Sequence, residues 1–464
     1  AVEKLSADGG DIVILDPHDG AVLAMASRRS DARSTAATAL SEPFEPGSTL
    51  KPFIAAALLE RGHVRESDVV DTYGGQLTLH GRTINDVHKG GRMTLREVIQ
   101  HSSNVGIVQF ASRLRPREQY ESLRDFGFGT TTGVPYPSEA GGRLPLPVRW
   151  SKQSPASLAM GYEMATTPLQ LANAYAAFAN GGELLAPSLV KEIVAPDGRT
   201  IFRHQRRVVR RVLSPATAER MRAMLEEVVS RGTALQADLS AFALAGKTGT
   251  ARRTIRGRYA AGQYYATFVG LFPAERPQYV ILVKLDSPRG DSYYGGTTAA
   301  PVTKEVLEAA IAARDAALDR ALLASARTER PDTSLRAGPA DTVRSVVLAG
   351  APERAAAPRE VGALVPAEGG STLARPAAPA REDPRRPRPA SAYMFALPTA
   401  GERDSARPVP RAVPDVRGMD LRDAVRALHE AGFRIQLARG PGGTSPAAGT
   451  LVRQGSLVRL LQDR

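Results

Sequence analysis

Apolar runs of strand length open the chain, Ile12-Val-Ile-Leu15 and Ala21-Val-Leu-Ala-Met25, and Asp16-Pro-His-Asp-Gly20 between them carries the turn chemistry of a hairpin. A sheet therefore begins the first domain. The pattern then becomes helical: after the Pro46-Gly47 turn, Leu50 to Arg61 is a helix-forming run that Gly62 stops. Asp71 to Asp86 reads as short strands and turns, and Thr94 with Glu97 is a capping box opening a helix to about Gln100. Phe126-Gly-Phe-Gly129 reads as loop, followed by a proline-rich, irregular stretch to Trp150. Thr167-Pro168 supplies an N-cap and first position for a helix from Leu169 to Ala179, closed by Asn180-Gly-Gly182. Ser214-Pro215 starts an amphipathic helix through Met221, Leu225 and Val229. Phe242 to Thr250, Tyr265 to Phe272 and Tyr279 to Leu285 read as strands, and one helix is expected from about Ala299 to Leu323. Strands at both ends with helices between predict an α+β domain whose sheet joins the N-terminal hairpin to the last three strands.

Beyond this the periodicity stops. From Ala324 to Arg411 alanine, proline, arginine and glycine dominate, which predicts an extended, disordered linker. A helix from Leu421 to Ala431 and short strands near Phe433 to Leu437 and Leu457 to Leu461 then predict a small α+β module. The expected division is 1–323, 324–411 and 412–464.

Composition narrows the chemistry. The 464 residues carry a net charge of +13, yet only 8 of the 61 basic residues are lysine. A lysine beside a serine or before a glycine therefore suggests a use that arginine cannot serve, that of a compact, titratable amine. The arginines form no stripe interleaved with aromatics, so nucleic acid is not an expected partner; anionic lipid or wall polymer suits the charge better. Cysteine is absent, which removes disulfides and thiol chemistry. The seven histidines show no paired ligand spacing, with His88 isolated near Asp86, and neither metal nor cofactor is expected. No apolar run reaches membrane-spanning length, and a missing N-terminal portion is the expectation drawn from that start.

Ser48 falls in the first turn of the helix that follows Pro46-Gly47, where its N–H lacks an intrahelical partner, and Lys51 lies on the same face. A serine becomes a nucleophile when a neighbouring amine of lowered pKa takes its proton. Alone this spacing is weak: a helix start with a solvated lysine looks the same, and Ser188-Leu-Val-Lys191 repeats it in what reads as a surface strand. Ser102-Ser-Asn104 also has an ordinary reading, as a polar helix end. Lys247-Thr-Gly-Thr250 places an amine and two hydroxyls on a strand with glycine where something approaches the backbone.

Taken together and in this order, Ser48 to Lys51, Ser102 to Asn104 and Lys247 to Thr250 resemble the three motifs of penicillin-binding transpeptidases and serine β-lactamases. The flanks Glu45 to Phe53, Phe126-Gly-Phe-Gly129, Thr167 to Ala172, Ala179-Asn-Gly-Gly182 and Tyr293-Tyr-Gly-Gly296 resemble class B penicillin-binding proteins over residues 1 to about 312. Val413 to Met419 and Ser445 to Thr450 resemble a single PASTA domain, shortened between Gly440 and Ser445. The resemblance implies the penicillin-binding fold, an antiparallel sheet flanked by helices. It also implies D,D-transpeptidation, with peptidoglycan stems ending in D-Ala-D-Ala as donor, an amine as acceptor and β-lactams as acylating mimics. On the matching positions Ser48 is the nucleophile, Lys51 the base, Ser102 the proton relay and Asn104 a substrate hydrogen-bonder. Lys247 would lower the pKa of Lys51 by repulsion and attract the substrate carboxylate. Thr248 and Thr250 hydroxyls would meet that carboxylate, with Gly249 between them, and the N–H groups of Ser48 and Thr250 would form an oxyanion hole. The family also implies a membrane anchor absent from this chain, a catalytic domain on the outer face of the cell membrane, and partnership with a glycan polymerase of the SEDS type and division proteins. A D,D-carboxypeptidase or β-lactamase using water, and a non-catalytic wall-binding scaffold or β-lactam sensor, are the alternatives.

Overall fold

Five antiparallel strands form the main sheet, in the order Ala245–Ile255, Arg258–Phe272, Tyr279–Asp286, Gly9–Leu15, Val22–Arg29. The N-terminal hairpin thus closes onto the last three strands as the pattern predicts, with Val13 opposite Leu282 and Gly10 opposite Leu285. The protein is described by a computed structural model covering residues 1–30, 37–255, 258–290, 292–313, 316–326, 411–452 and 456–462. The expected linker lies outside the described residues apart from its two ends.

Every residue of the middle strand, Tyr279–Asp286, is buried, and the helices Pro168–Ala179 and Ala299–Ala312 both pack on it. Pro168–Ala179 begins at the predicted cap, where Thr167 and Gln170 close a reciprocal capping box, and all twelve of its residues are buried. A helix apolar all round belongs inside the domain. The Lys51–Glu60 helix is buried at every position except Glu60, so it carries Lys51 into the core rather than onto the surface.

Three sequence expectations need correction. The single helix expected from Ala299 to Leu323 is two, Ala299–Ala312 and Arg320–Ser325. Ala313 turns extended after the first, and the Asp319 carboxylate restarts the second by accepting the N–H groups of Ala321 and Leu322. The segment from Ser188 to Lys191 is not a strand: Ser188 makes one isolated bridge to Ala21, its hydroxyl bonds Val190, and the strand is Glu192–Val194. Four helices went unforeseen, Thr38–Ser41, Asn104–Ala111, Pro116–Asp125 and Ser154–Ala159.

The second compact unit has its own core of Val413, Val416, Ala424, Leu428, Phe433, Val458 and Leu460. Its Leu421–Glu430 helix leads into Arg434–Arg439, which runs parallel to Leu457–Gln462, with Gly443–Ser445 antiparallel on the far side. Both units are α+β, as expected.

Candidate active site

Ser48 sits in a short 3₁₀ turn, Gly47–Leu50, that feeds directly into the Lys51–Glu60 helix. The turn lies hard against the edge strand of the main sheet. A Cβ on Gly47 would come 3.0 Å from that of Ala251, and one on Gly249 would come 2.8 Å from the Thr49 methyl and 3.0 Å from the Pro46 carbonyl. Only glycine allows this approach, and Gly47 also holds φ at +54°, a left-handed value. Ser48 is half-buried, and a Cβ on the preceding Gly47 would stand 3.5 Å from the Thr250 carbonyl oxygen. From the core side, the buried Tyr175 hydroxyl donates to the Thr49 carbonyl at 2.7 Å.

Behind the turn, Lys51 and Lys247 are both fully buried and converge on one hydroxyl. Lys247 Nζ donates to Ser102 Oγ at 2.9 Å and to the Thr248 carbonyl at 3.1 Å. Lys51 Nζ lies 3.2 Å from the same Ser102 Oγ and donates to Asn104 Oδ1 at 2.7 Å and to the Ser102 carbonyl. Residues from three separate stretches of chain thus share one cluster. Ser102 adopts φ +58°, uncommon for a residue with a Cβ, and this kink sits between the helices Leu95–Gln100 and Asn104–Ala111.

Asp86 holds that kink. Its carboxylate accepts Ser103 Oγ and the Asn104 N–H, both at 2.5 Å, and the Val105 N–H at 3.0 Å. Ser103 caps the following helix by accepting the Gly106 N–H at 2.8 Å, and Asn104 Nδ2 donates to the Asn85 carbonyl at 2.8 Å. Asn104 is therefore gripped at both ends, by Lys51 and by the 85–86 strand end.

Burial lowers the pKa of Lys51 from 10.5 to about 7, with the negative charge of Asp86 opposing the shift. Burial also pushes Lys247 well below its ordinary value, and repulsion from Lys51 adds to it. Burial is thus the first cause at both amines, and the repulsion between them works in the same direction. At neutral pH Lys51 can therefore accept a proton. An ordinary lysine would offer roughly one neutral amine in three thousand at pH 7.

The threonine hydroxyls have partners within the protein. Thr248 Oγ1 lies 2.7 Å from Thr233 Oγ1, and Thr250 Oγ1 accepts the Gly295 N–H at 3.0 Å. Gly295 packs so closely on the sheet that a Cβ would meet the Gly249 carbonyl at 2.4 Å. His88 is not isolated: its ring stacks on that of His101, the residue before Ser102, at 4.3 Å between centroids. Asp86, Tyr175 and Thr233 are site residues that the sequence did not single out. Asp86 follows Asn85 in a stretch that reads as turn polarity, and Tyr175 reads as core, so neither carried a signal. Lys191, by contrast, is exposed and takes no part.

Residues 10–308 match the family model described as the penicillin binding protein transpeptidase domain, and residues 411–463 match that of the PASTA domain. The chain is 35% identical over 324 residues to a probable peptidoglycan D,D-transpeptidase, PbpC, of Pseudomonas aeruginosa, covering 68% of this chain and 55% of that protein. It is 37% identical to the penicillin-binding protein PbpB of Mycolicibacterium smegmatis, covering 66% of this chain and 50% of the other. Among solved structures, penicillin binding protein 3 of Mycobacterium tuberculosis in complex with aztreonam superposes with a TM-score of 0.62 at 34% identity, covering 67% of this chain and 74% of that one. The transpeptidase domain of Burkholderia pseudomallei penicillin-binding protein 3 gives 0.61 at 31%, covering 68% and 92%. The chain spans about half the length of most of the curated relatives it matches. With a family model matched across most of the first unit and relatives of this kind on every side, the chain belongs to the class B penicillin-binding protein transpeptidases, joined to a PASTA domain.

Proposed function

We propose that this chain is a peptidoglycan D,D-transpeptidase working through a Ser48 acyl-enzyme. The observation that carries the reading is the Ser102 hydroxyl held between two buried amines, 3.2 Å from Lys51 and 2.9 Å from Lys247, with Lys51 the first residue of the helix that follows the Ser48 turn. Neutral Lys51 takes the proton of Ser48 Oγ as the oxygen attacks the carbonyl carbon of the penultimate D-Ala. The N–H groups of Ser48 and Thr250 hold the oxyanion, a contribution of about 3 kcal/mol per donor. The intermediate collapses as the C–N bond breaks, and the terminal D-Ala amine leaves with a proton relayed from Lys51 through Ser102. An acceptor amine then attacks the ester, gives up its proton along the same route, and Ser48 departs as the alcohol. Asn104, its amide held by Lys51 and Asn85, keeps one N–H and one lone pair with which it would hydrogen-bond the substrate peptide. The substrate carboxylate would lie against Thr248 and Thr250 and, by its charge, draw a proton onto Lys247.

The acceptor separates this reading from a carboxypeptidase or β-lactamase. Fluorescent penicillin followed by intact-mass measurement should add one acyl group to the wild-type chain and none to Ser48→Ala, and D-Ala release should yield cross-linked product when an amine acceptor is supplied. Release to water alone, or labelling that survives in Ser48→Ala, would overturn it. The same reading places the domain on the outer face of the cell membrane in septal wall synthesis, beside a SEDS-type glycan polymerase and division proteins. Its support is family membership, with relatives that include a stage V sporulation protein. Among the described residues no helix is long and apolar enough to cross a membrane. Co-purification of the polymerase with the protein from membranes tests that partnership. The domain division 1–323, 324–411 and 412–464 is proposed on the same footing, and limited proteolysis within 324–411 would test it.

A further inference from the structure

The acyl-transfer steps above leave unused the carboxyl three residues ahead of Ser48. Glu45 Oε1 accepts the backbone N–H of Glu163 at 3.0 Å, while Oε2 is buried and the carboxyl also faces the Tyr259 hydroxyl. Around this side chain, the strand leading to Ser48 is laced to residues 161–166. Phe44 and Thr166 exchange two backbone hydrogen bonds of 2.9 Å, and the Gly47 N–H donates to the Gly161 carbonyl at 3.1 Å. The two glycine turns touch so closely that a Cβ on Gly161 would stand 2.0 Å from the Gly47 oxygen. Glu163 itself holds φ at +62°, a left-handed value a glutamate rarely takes, and its N–H is the one Glu45 accepts. A carboxylate stripped of part of its water is costly to keep, and a strained residue persists only where its surroundings over-determine it. Here each accounts for the other.

We propose that Glu45 is a positioning residue for the nucleophile: its carboxyl pins the strained 162–163 turn against the Pro46-Gly47 turn and so fixes where Ser48 stands relative to Lys51 and Ser102. This rests on Ser48 being the nucleophile. The other charged and titratable groups facing the Glu45 carboxyl are Tyr259, Arg143 and Glu163, with Tyr162 beside them. None of these can replace it, since the pin requires a hydrogen-bond acceptor on the strand that enters the Ser48 turn. Glutamine would keep that acceptor; alanine and methionine would not, although methionine nearly keeps the volume.

Stopped-flow acylation by a β-lactam separates the dissociation constant of the first complex from the rate constant of the covalent step, with rates normalised to the fraction finally labelled. Glu45→Ala and Glu45→Met should slow the covalent step at least tenfold with the dissociation constant within threefold of wild type, and Glu45→Gln should restore the rate to within threefold. If the alanine variant does not fold, the methionine variant carries the test. Wild-type rates in Glu45→Met, a Gln variant as slow as Met, or a loss confined to the dissociation constant would each overturn the proposal. Peptide mapping of the wild-type adduct in the same series keeps the two readings apart: a label on a residue other than Ser48 removes the nucleophile assignment, whatever the variants do.

Discussion

Three of the eight lysines are buried completely, and what surrounds them divides them into two kinds. Lys284, on the middle strand of the sheet, donates to Asp11 at 3.0 Å and pairs with Asp286 at 2.6 Å, with the rings of Phe44 and Tyr265 lying 5.3 and 5.2 Å away. Thr38 hydrogen-bonds the same Asp11, and Arg29 pairs with the same Asp286. Lys51 and Lys247 have hydrogen-bond acceptors of equal quality, but these are hydroxyls, carbonyls and an amide. Burial lowers all three amines. At Lys284 the two aspartates outweigh it and raise the pKa, whereas at Lys51 the nearest carboxylate, Asp86, is spent on Ser103, Asn104 and Val105 and only moderates the fall. Lys284 is held charged between carboxylates, whereas Lys51 and Lys247 are pushed towards the neutral form.

The sharpest way to break this contrast is Lys51→Met. Loss of a general base should slow β-lactam acylation by roughly 10²–10⁴-fold. Stability should move the other way. Unfolded lysine binds its proton up to pH 10.5 while folded Lys51 releases it near 7, so between these values the unfolded chain holds more protons and wild-type stability rises with pH. The methionine variant should therefore melt higher than wild type at pH 7, with the difference closing towards pH 10.5. A variant that is both inactive and less stable at pH 7 would mean that Lys51 is a structural cation like Lys284.

Lys284→Met should do the opposite. Two buried carboxylates would lose their shared cation, a change that costs about 3–5 kcal/mol in urea unfolding. Because the folded pKa of Lys284 is raised, its contribution is complete below the unfolded value of 10.5 and disappears only as pH climbs past the folded one. A loss under about 1 kcal/mol at pH 7 would show that the aspartates reorganise or take up protons, and the contrast with Lys51 would lose its basis.

A smaller effect sharpens the electrostatics. The acylation rate of the wild type should fall about tenfold per pH unit below the Lys51 pKa of about 7. Asp86→Asn removes the charge that holds this pKa up, so the midpoint of the pH–rate profile should move to lower pH while the plateau drops as the Ser102 kink loosens. A midpoint that stays put would assign the acid limb to some other group.

Much of this was readable from residue order, and what was not has a physical reason. Ser48, Lys51, Ser102, Asn104 and Lys247 lie in motifs whose spacing places amines and hydroxyls on helix starts and a strand, and the structure brings Lys51, Ser102, Asn104 and Lys247 into one cluster. The cap at Thr167 and the hairpin at Asp16 to Gly20 are local, so sequence carries them whole. Asp86 is different: its three partners lie 17 to 19 residues away, and nothing near it distinguishes it from a turn aspartate. Ion partners such as Asp11 and Lys284 are 273 residues apart, and their pairing follows only once the first and last strands are aligned. The broken helix after Ala312 hid because Asp319 looks like any helical surface residue until its carboxylate is seen capping Ala321 and Leu322.

The smallest expected effect concerns a group that carries no charge at all. Tyr175 is wholly buried, burial raises its pKa well above 10, and its hydroxyl therefore stays a donor to the Thr49 carbonyl at every working pH. Tyr175→Phe keeps the ring among Phe53 and Phe178 but leaves that carbonyl one bond short, at a cost of about 1–3 kcal/mol. The carbonyl belongs to the residue after Ser48, so part of the loss should appear as a several-fold slower acylation whose pH midpoint is unchanged. That separates it from the lysines: a side chain that only holds the Ser48 turn alters the height of the pH–rate profile, whereas one that sets the charge on Lys51 alters its position. A shifted midpoint in Tyr175→Phe would mean that the turn and the amine cluster move as one body, and that the geometry and electrostatics of the site cannot be varied separately.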